Sequence, residues 1–276
     1  MSRNHSKPRG PAPWLFLVAT LGWTWCFLLP AVFSEQGLFE FPVAIFSAIG
    51  LLGPLIVAGM LIAGGRWDRS LDATVGHFFR RCFDPRTLPW RWMLAVMGLA
   101  ALLAVGPVFL DLPVLREQGV WEPGPLAFVL LGFLGALEEP GWRGYAQEGL
   151  QRRIPVVAAG FVIGVFWALW HLPLFFIDGT YQAGLGPGSV AFWGFMLALV
   201  VGAPFYAWLY NAAGKVVFAA LLYHGLGNVA RELVPDVSVF AEVAVEAAMM
   251  LVVVIIGWHW MKRSADTDQS RKKSPT

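Results

Sequence analysis

Apolar residues occur along the chain in long runs that are separated by shorter polar segments. A helix needs about 20 residues to cross a bilayer core of ~30 Å, and about eight of the runs reach that length. The pattern therefore predicts an all-α fold, a polytopic transmembrane helical bundle with about eight transmembrane helices. The predicted helices are approximately Trp14 to Phe33, Phe41 to Ala63, Trp92 to Leu110, Pro125 to Leu150, Val156 to Ile177, Ser189 to Tyr210, Val216 to Val234 and Val243 to Trp260.

Composition agrees with a membrane protein, because 57% of the 276 residues are hydrophobic and only 14% are charged. A soluble domain does not need that much apolar surface. We expect one transmembrane domain over residues 14–261, a cytoplasmic N-terminal tail over residues 1–13 and a disordered cytoplasmic tail over residues 262–276. The net charge of +2 gives no basic excess that would favour nucleic acid, and membrane lipids are the expected surroundings.

Lys and Arg are concentrated on one predicted side of the membrane. That side has both tails, the loop between the second and third predicted helices, and Arg152, Arg153 and Lys215, whereas the opposite side has only Arg116 and Arg231. Cytoplasmic loops are enriched in Lys and Arg. The distribution predicts that both termini are cytoplasmic, as an even number of helices requires, and we expect the membrane to be a bacterial cytoplasmic membrane.

The longest polar segment, Arg66 to Trp90, has aromatic and basic residues side by side. Phe78 and Phe79 come directly before Arg80 and Arg81. This mixture is typical of a helix that lies along a membrane surface with its apolar face in lipid. We expect the segment to lie there.

Ionisable residues inside transmembrane helices are costly, and they are therefore candidates for function. The strongest group lies in the fourth predicted helix and consists of Glu138, Glu139 and Arg143. Glu139 and Arg143 are four residues apart and share a helix face, so they can form an ion pair. Glu138 points about 100° away, which leaves it as a candidate general base that takes a proton from water. A structural ion pair with a spare acid is the alternative interpretation.

Pro140 interrupts the same turn, because proline lacks a backbone N–H and clashes with the carbonyl four residues earlier. The sequence predicts a kink that exposes the Ala136 carbonyl and opens space near Glu138. Exposed backbone is tolerated in a membrane only where it faces protein or a water-filled cavity. The kink therefore predicts a hydrated pocket beside Glu138.

Other predicted helices add polar side chains at His171, His224 and Asn228. His224 and Asn228 are four residues apart and share a face, whereas His171 lies near the end of the fifth helix. Each of these residues taken alone fits an ordinary hydrogen-bonded core position. One site shared with Glu138 is favoured, since burying each of them separately would be expensive. Convergence requires the fifth helix to start below the membrane plane or to tilt, because His171 lies ~27 Å from the basic residue Arg153 at ~1.5 Å per residue.

The order of these residues resembles that of the CPBP family of intramembrane endopeptidases, the CAAX proteases and bacteriocin-processing enzymes that are also called the Abi family. The resemblance covers about residues 126–230. It rests on three motifs: Glu138-Glu139-x-x-x-Arg143, an aromatic residue four positions before His171, and His224-x-x-x-Asn228.

The resemblance implies an endopeptidase like the type 2 CAAX prenyl proteases, acting on a membrane-associated or lipidated peptide in a cavity open to the cytoplasm. It implies that Glu138 and His171 are catalytic and activate the attacking water. It also implies that His224 and Asn228 are catalytic and hold the oxyanion of the tetrahedral intermediate.

The resemblance gives supporting roles to Glu139 and Arg143, which would orient the water-activating residues Glu138 and His171 or bind a substrate carboxylate. The family usually has Phe four residues before the first histidine, and this chain has Trp167 at that position. Trp167 is therefore a further candidate for binding or orienting, with a role that the family pattern does not define.

Metal dependence has two alternatives. Glu138, His171 and His224 could hold zinc with one open coordination position. Asn228 is a poor zinc ligand, so we favour a metal-independent glutamate mechanism that requires no cofactor. Zinc and a metalloprotease mechanism remain the alternative.

Two other function classes are compatible with buried Glu, His and Arg residues. One is a membrane transporter or proton relay, in which such residues also recur, although the chain has no visible inverted repeat. The other is a bacteriocin-immunity protein that binds a peptide without cleaving it. A peptidase is expected to lose its function in Glu138→Gln while its membrane expression is unchanged, whereas transport would follow an ion gradient.

Overall fold

The computed structural model describes residues 10–34, 37–38, 40–68, 71–72, 74–107, 125–233 and 239–262. Residues 1–9 and 263–276, which make up most of the two predicted tails, lie outside the described residues. Within these ranges the regular structure is entirely helical. The α-helices are α1 (Pro13–Val32), α2 (Val43–Leu51), α3 (Gly53–Ala63), α4 (Val75–Phe83), α5 (Trp90–Val105), α6 (Pro125–Gly135), α7 (Glu148–Leu150), α8 (Val156–His171), α9 (Tyr181–Gly184), α10 (Val190–Ala212), α11 (Val217–Leu233) and α12 (Val239–Met261).

Four stretches of the described chain are helical, long and apolar enough to cross a membrane: Pro13–Val32, Val156–Phe176, Val190–Ala212 and Phe240–Trp258. The pair α2 and α3 passes the same criteria together but is bent by 58°. The apolar helices Trp90–Val105 and Val217–Ala230 are shorter. The predicted bundle of several apolar helices is confirmed, whereas the count of eight spans is not confirmed by these lengths.

Small residues set the closest helix contacts. Helix α10 packs along α8 and α12, and α11 packs on α5 and α6. Gly160 of α8 faces Pro204 of α10 so closely that a Cβ at Gly160 would lie 2.6 Å from the Pro204 Cα. Small residues at such crossings let the two helix backbones approach closely. Close packing is needed in a membrane because lipid is as apolar as the side chains, so burying the side chains gives little driving force for helix association.

Helix α4 is amphipathic, but its apolar face packs on protein. Thr74 caps the helix by accepting a hydrogen bond from the His77 backbone N–H at 3.2 Å. Phe78 and Cys82 are completely buried and lie against Gly144, where a Cβ would be 3.0 Å from Phe78 and 3.3 Å from Cys82. The sequence predicted that this face lies in lipid, and the structure gives it a protein partner instead.

The helix that follows α6 changes its geometry three times. A 3₁₀ turn covers Ala136–Glu138, a π-helix covers Pro140–Gln147, and α7 follows. Pro140 has no N–H to donate to Ala136, so the Glu139 N–H donates to the Ala136 carbonyl instead. The expected break at Pro140 is therefore present as a change of helix type, but the Ala136 carbonyl has a partner. π-Helical segments are frequent at functional sites.

Candidate active site

Glu138 lies at the end of the 3₁₀ turn with only 7% of its surface exposed. Its Oε2 accepts hydrogen bonds from the indole N–H of Trp142 at 3.0 Å and from that of Trp167 at 2.7 Å. Glu138 is outside the ion pair of its neighbour Glu139, as the helix geometry predicted. The sequence analysis did not foresee the two indole donors.

Glu139 and Arg143 form the ion pair that their spacing predicted. Arg143 Nη1 lies 3.0 Å from Glu139 Oε1, and both side chains have no exposed surface. The Arg143 guanidinium lies over two aromatic rings, 4.7 Å from the Trp167 centroid and 4.3 Å from the Tyr206 centroid. Aromatic faces attract a cation that has lost its water, which reduces the cost of burying Arg143.

The carboxylate of Glu139 also binds His224. His224 Nδ1 lies 2.8 Å from the Glu139 Oε1 that faces Arg143. An ionised carboxylate can only accept hydrogen bonds, so Nδ1 carries the proton and donates it. The neutral imidazole then has its lone pair on Nε2, and His224 can donate from Nε2 only as an imidazolium that Glu139 is placed to neutralise.

His171 has the same tautomer for a different reason. Its Nδ1 lies 2.8 Å from the Trp167 backbone carbonyl, which can only accept, so Nδ1 is the donor. In the neutral ring Nε2 is the nitrogen that can take a proton. The ring also packs edge-on against Phe195, with centroids 5.3 Å apart.

Asn228 faces α6 just before Glu138. Its Nδ2 donates to the Gly132 carbonyl at 3.1 Å. A Cβ at Gly135 would lie 2.9 Å from the same nitrogen, so the glycine allows the amide to sit there. The amide has a second N–H, which remains as a donor for another acceptor.

Trp167 is the side chain around which the candidate residues meet. Its indole binds Glu138, and its ring centroid lies 6.0 Å from that of His171 and 5.4 Å from that of His224. Three of the four residues predicted to converge, Glu138, His171 and His224, therefore surround this one side chain, whereas the Asn228 amide contacts the Gly132 carbonyl. Trp167 is also where the chain departs from the usual Phe, and an indole can donate a hydrogen bond that Phe lacks.

The residues of the zinc alternative do not fit a metal site as they are placed. Among the described residues, no group of three His, Cys, Asp or Glu side chains could hold a metal ion. No catalytic step is therefore assigned to zinc.

Two residues of the site were missed by the sequence analysis. Trp142 is four residues after Glu138, so the spacing rule that paired Glu139 with Arg143 would have found it. Tyr206 covers Arg143 from α10, and no local signal in the sequence indicates that contact.

Comparisons with known proteins find similar sequences over the same part of the chain. Residues 120–230 match the model of the type II CAAX prenyl endopeptidase Rce1-like family, and this range includes every candidate residue described above. The chain is 29% identical over 192 residues to CAAX prenyl protease 2 of Methanococcus maripaludis, which covers 67% of this chain and 70% of that protein. The chain therefore resembles the CPBP family over this range. The similarity to membrane proteases and the several apolar helices together indicate an integral membrane protein.

Proposed function

We propose that this protein is an intramembrane endopeptidase of the CPBP family that hydrolyses a peptide bond of a membrane-associated or lipidated peptide. The observation that supports this most strongly is the meeting of Glu138, His171 and His224 around Trp167 inside an apolar bundle. The name of the Methanococcus maripaludis relative supports a prenylated protein as the substrate class. Substrate would reach the site from the surrounding lipid and from the cytoplasm.

Glu138 acts as the general base in this proposal. It takes a proton from a water molecule whose oxygen attacks the carbonyl carbon of the scissile bond. The lone pair on His171 Nε2 holds and orients the same water. The proton then passes from Glu138 to the leaving nitrogen as the C–N bond breaks. The products are an amine and a carboxylic acid, which loses its remaining proton to water and becomes a carboxylate.

His224 and Asn228 stabilise the oxyanion of the tetrahedral intermediate. Asn228 offers its second N–H, and His224 offers Nε2–H as an imidazolium. Glu139 neutralises that imidazolium, and Arg143 holds Glu139 in place. Each donor aimed at a developing oxyanion is worth about 3–4 kcal/mol in a water-poor site.

Arg143 has an orienting role in this proposal. Its side chain has no exposed surface and is enclosed by Trp167 and Tyr206. A substrate carboxylate would have to displace an aromatic ring to reach it. The complete burial of Arg143 therefore favours the orienting role over direct binding of a substrate carboxylate.

The test is cleavage of a farnesylated peptide by purified protein in proteoliposomes, with products identified by mass spectrometry. Glu138→Gln should lower kcat by at least about 100-fold, because a positioned base contributes roughly 10²–10⁴-fold. Glu40→Gln removes an exposed carboxylate outside the site and should leave cleavage unchanged. Cleavage by Glu138→Gln at the wild-type rate would refute the mechanism. Absence of cleavage by the wild type, together with uptake that follows an ion gradient, would favour a transporter.

A further inference from the structure

Two tryptophans on different elements bind the same oxygen of the same carboxylate. Trp142 comes from the π-helix and Trp167 from α8, and both indole N–H groups donate to Glu138 Oε2, at 3.0 and 2.7 Å. Both rings are buried. A carboxylate oxygen readily accepts two hydrogen bonds, but rotation of the carboxylate would break both of them together.

We propose that Trp142 and Trp167 are positioning residues that fix the Glu138 carboxylate through Oε2, so that Oε1 is the oxygen that meets the attacking water. This inference rests on the proposed function, because it assigns a task to the base of that mechanism. Hydrogen bonds to a charged group are stronger than neutral ones and hold it in a narrower geometry. Reacting atoms that are held in alignment lower the barrier, so a loosened base costs rate rather than affinity.

The surroundings of each ring explain how the pair is held. Trp142 packs edge-on against Phe16 of α1, with centroids 5.6 Å apart. Trp167 lies beneath the guanidinium of Arg143 and beside the ring of His171. The orientation of Glu138 therefore depends on how α1 and α8 pack against the π-helix. Trp167 also contacts His171, the other residue proposed to bind the water, so this one side chain sets the position of both Glu138 and His171.

Replacing either tryptophan by Phe removes the donor and retains an aromatic ring. Trp142→Phe and Trp167→Phe should each lower kcat for the farnesylated peptide on the order of 10-fold to 100-fold, with KM within about twofold, since one charged hydrogen bond is lost. Trp67→Phe is the matched control. Trp67 is buried and donates its indole N–H to the Asp72 carboxylate at 3.3 Å, outside the site. The Trp67→Phe variant should keep the wild-type kcat.

A second substitution separates the hydrogen bond from the shape of the ring. Benzothienylalanine has sulfur in place of the indole N–H, and it can be incorporated at position 167 with little change in packing. It should reduce kcat as Trp167→Phe does and leave the thermal unfolding midpoint near the wild-type value. This result would support the proposal even if a Phe variant failed to fold.

The inference and the proposed function fail in different ways. If Glu138→Gln is inactive while the benzothienylalanine protein retains the wild-type kcat, the positioning role is wrong and the mechanism stands. A raised KM with unchanged kcat would also overturn it, because it would make Trp167 a substrate contact. If Glu138→Gln cleaves normally, the proposed function itself has failed.

Discussion

At the scale of single residues, Glu139 is a completely buried acid that contacts two basic side chains. Its Oε1 meets Arg143 on one side and His224 on the other, with no exposed surface. Removing one partner of a buried pair is expensive, because the remaining charge stays away from water without compensation. Breaking an exposed pair with the same geometry costs much less free energy, because water solvates the charge that remains.

We therefore expect Glu139→Gln to lower the free energy of unfolding by about 3–5 kcal/mol. The matched control is Asp68→Asn, because Asp68 lies 3.0 Å from Arg152, the same distance, with the side chains 33% and 26% exposed. That substitution should cost about 0–1 kcal/mol. Unfolding in detergent, followed by circular dichroism, measures both values. Similar losses in the two variants would show that burial of the Arg143 pair has no special cost.

Removal of metal distinguishes the metal-independent glutamate mechanism from the zinc mechanism, which would use the same residues. Glu138, His171 and His224 are not grouped to hold a metal ion in the described structure. Dialysis against a strong chelator should therefore leave cleavage of the farnesylated peptide within about twofold of the untreated rate, since a water activated by Glu138 needs no Lewis acid. Loss of activity that returns with added zinc would establish the metalloprotease alternative. Metal content before and after dialysis must be measured alongside the rate.

At the scale of elements, the crossing of α8 and α10 positions the site. Helix α8 contributes Trp167 and His171, and its backbone approaches α10 at Gly160 and Pro204. A shift of α8 along α10 would move both aromatic rings away from Glu138. Gly160 therefore affects the geometry of the site, although this residue lies outside the site.

Gly160→Ala should lower stability by about 1–3 kcal/mol, as overpacking commonly does, and it should reduce kcat as well. The new Cβ would lie 2.6 Å from the Pro204 Cα, which is backbone and cannot rotate away. Gly98→Ala in α5 is the control, because its Cβ would meet nothing within 4 Å. That variant should be as stable as the wild type or slightly more stable, since Ala favours helix. Equal thermal midpoints for the two variants would contradict the tight crossing.

At the scale of the whole molecule, the membrane orientation follows from charge. Both tails are rich in Lys and Arg, as is the connection between α3 and α5. Because such segments stay in the cytoplasm, we expect both termini there. A green fluorescent protein fused to the C-terminus should fluoresce, and an alkaline phosphatase fused at the same place should be inactive. An active phosphatase would contradict both the orientation and an even number of spans. A phosphatase fused near Gly186 in the connection between α9 and α10, which is predicted to lie outside, is the positive control.

The sequence alone determined the features that depend on local geometry. Apolar runs of sufficient length specify helices in a membrane, because the backbone must satisfy its own hydrogen bonds there. The pairing of Glu139 with Arg143 follows from a spacing of four residues on a helix. The contact of Trp142 with Glu138 was predictable in the same way, although it was missed. The break at Pro140 follows from a missing N–H.

Tertiary structure decided every contact between residues that are distant in sequence. Trp167 is 29 residues from Glu138, and His224 is 85 residues from Glu139. Such contacts depend on the rotation and depth of each helix in the bundle, which packing between helices sets and hydrophobicity does not encode. The apolar face of α4 illustrates the same limit, since Phe78 is apolar whether lipid or Gly144 covers it. Only the packed structure distinguishes the two.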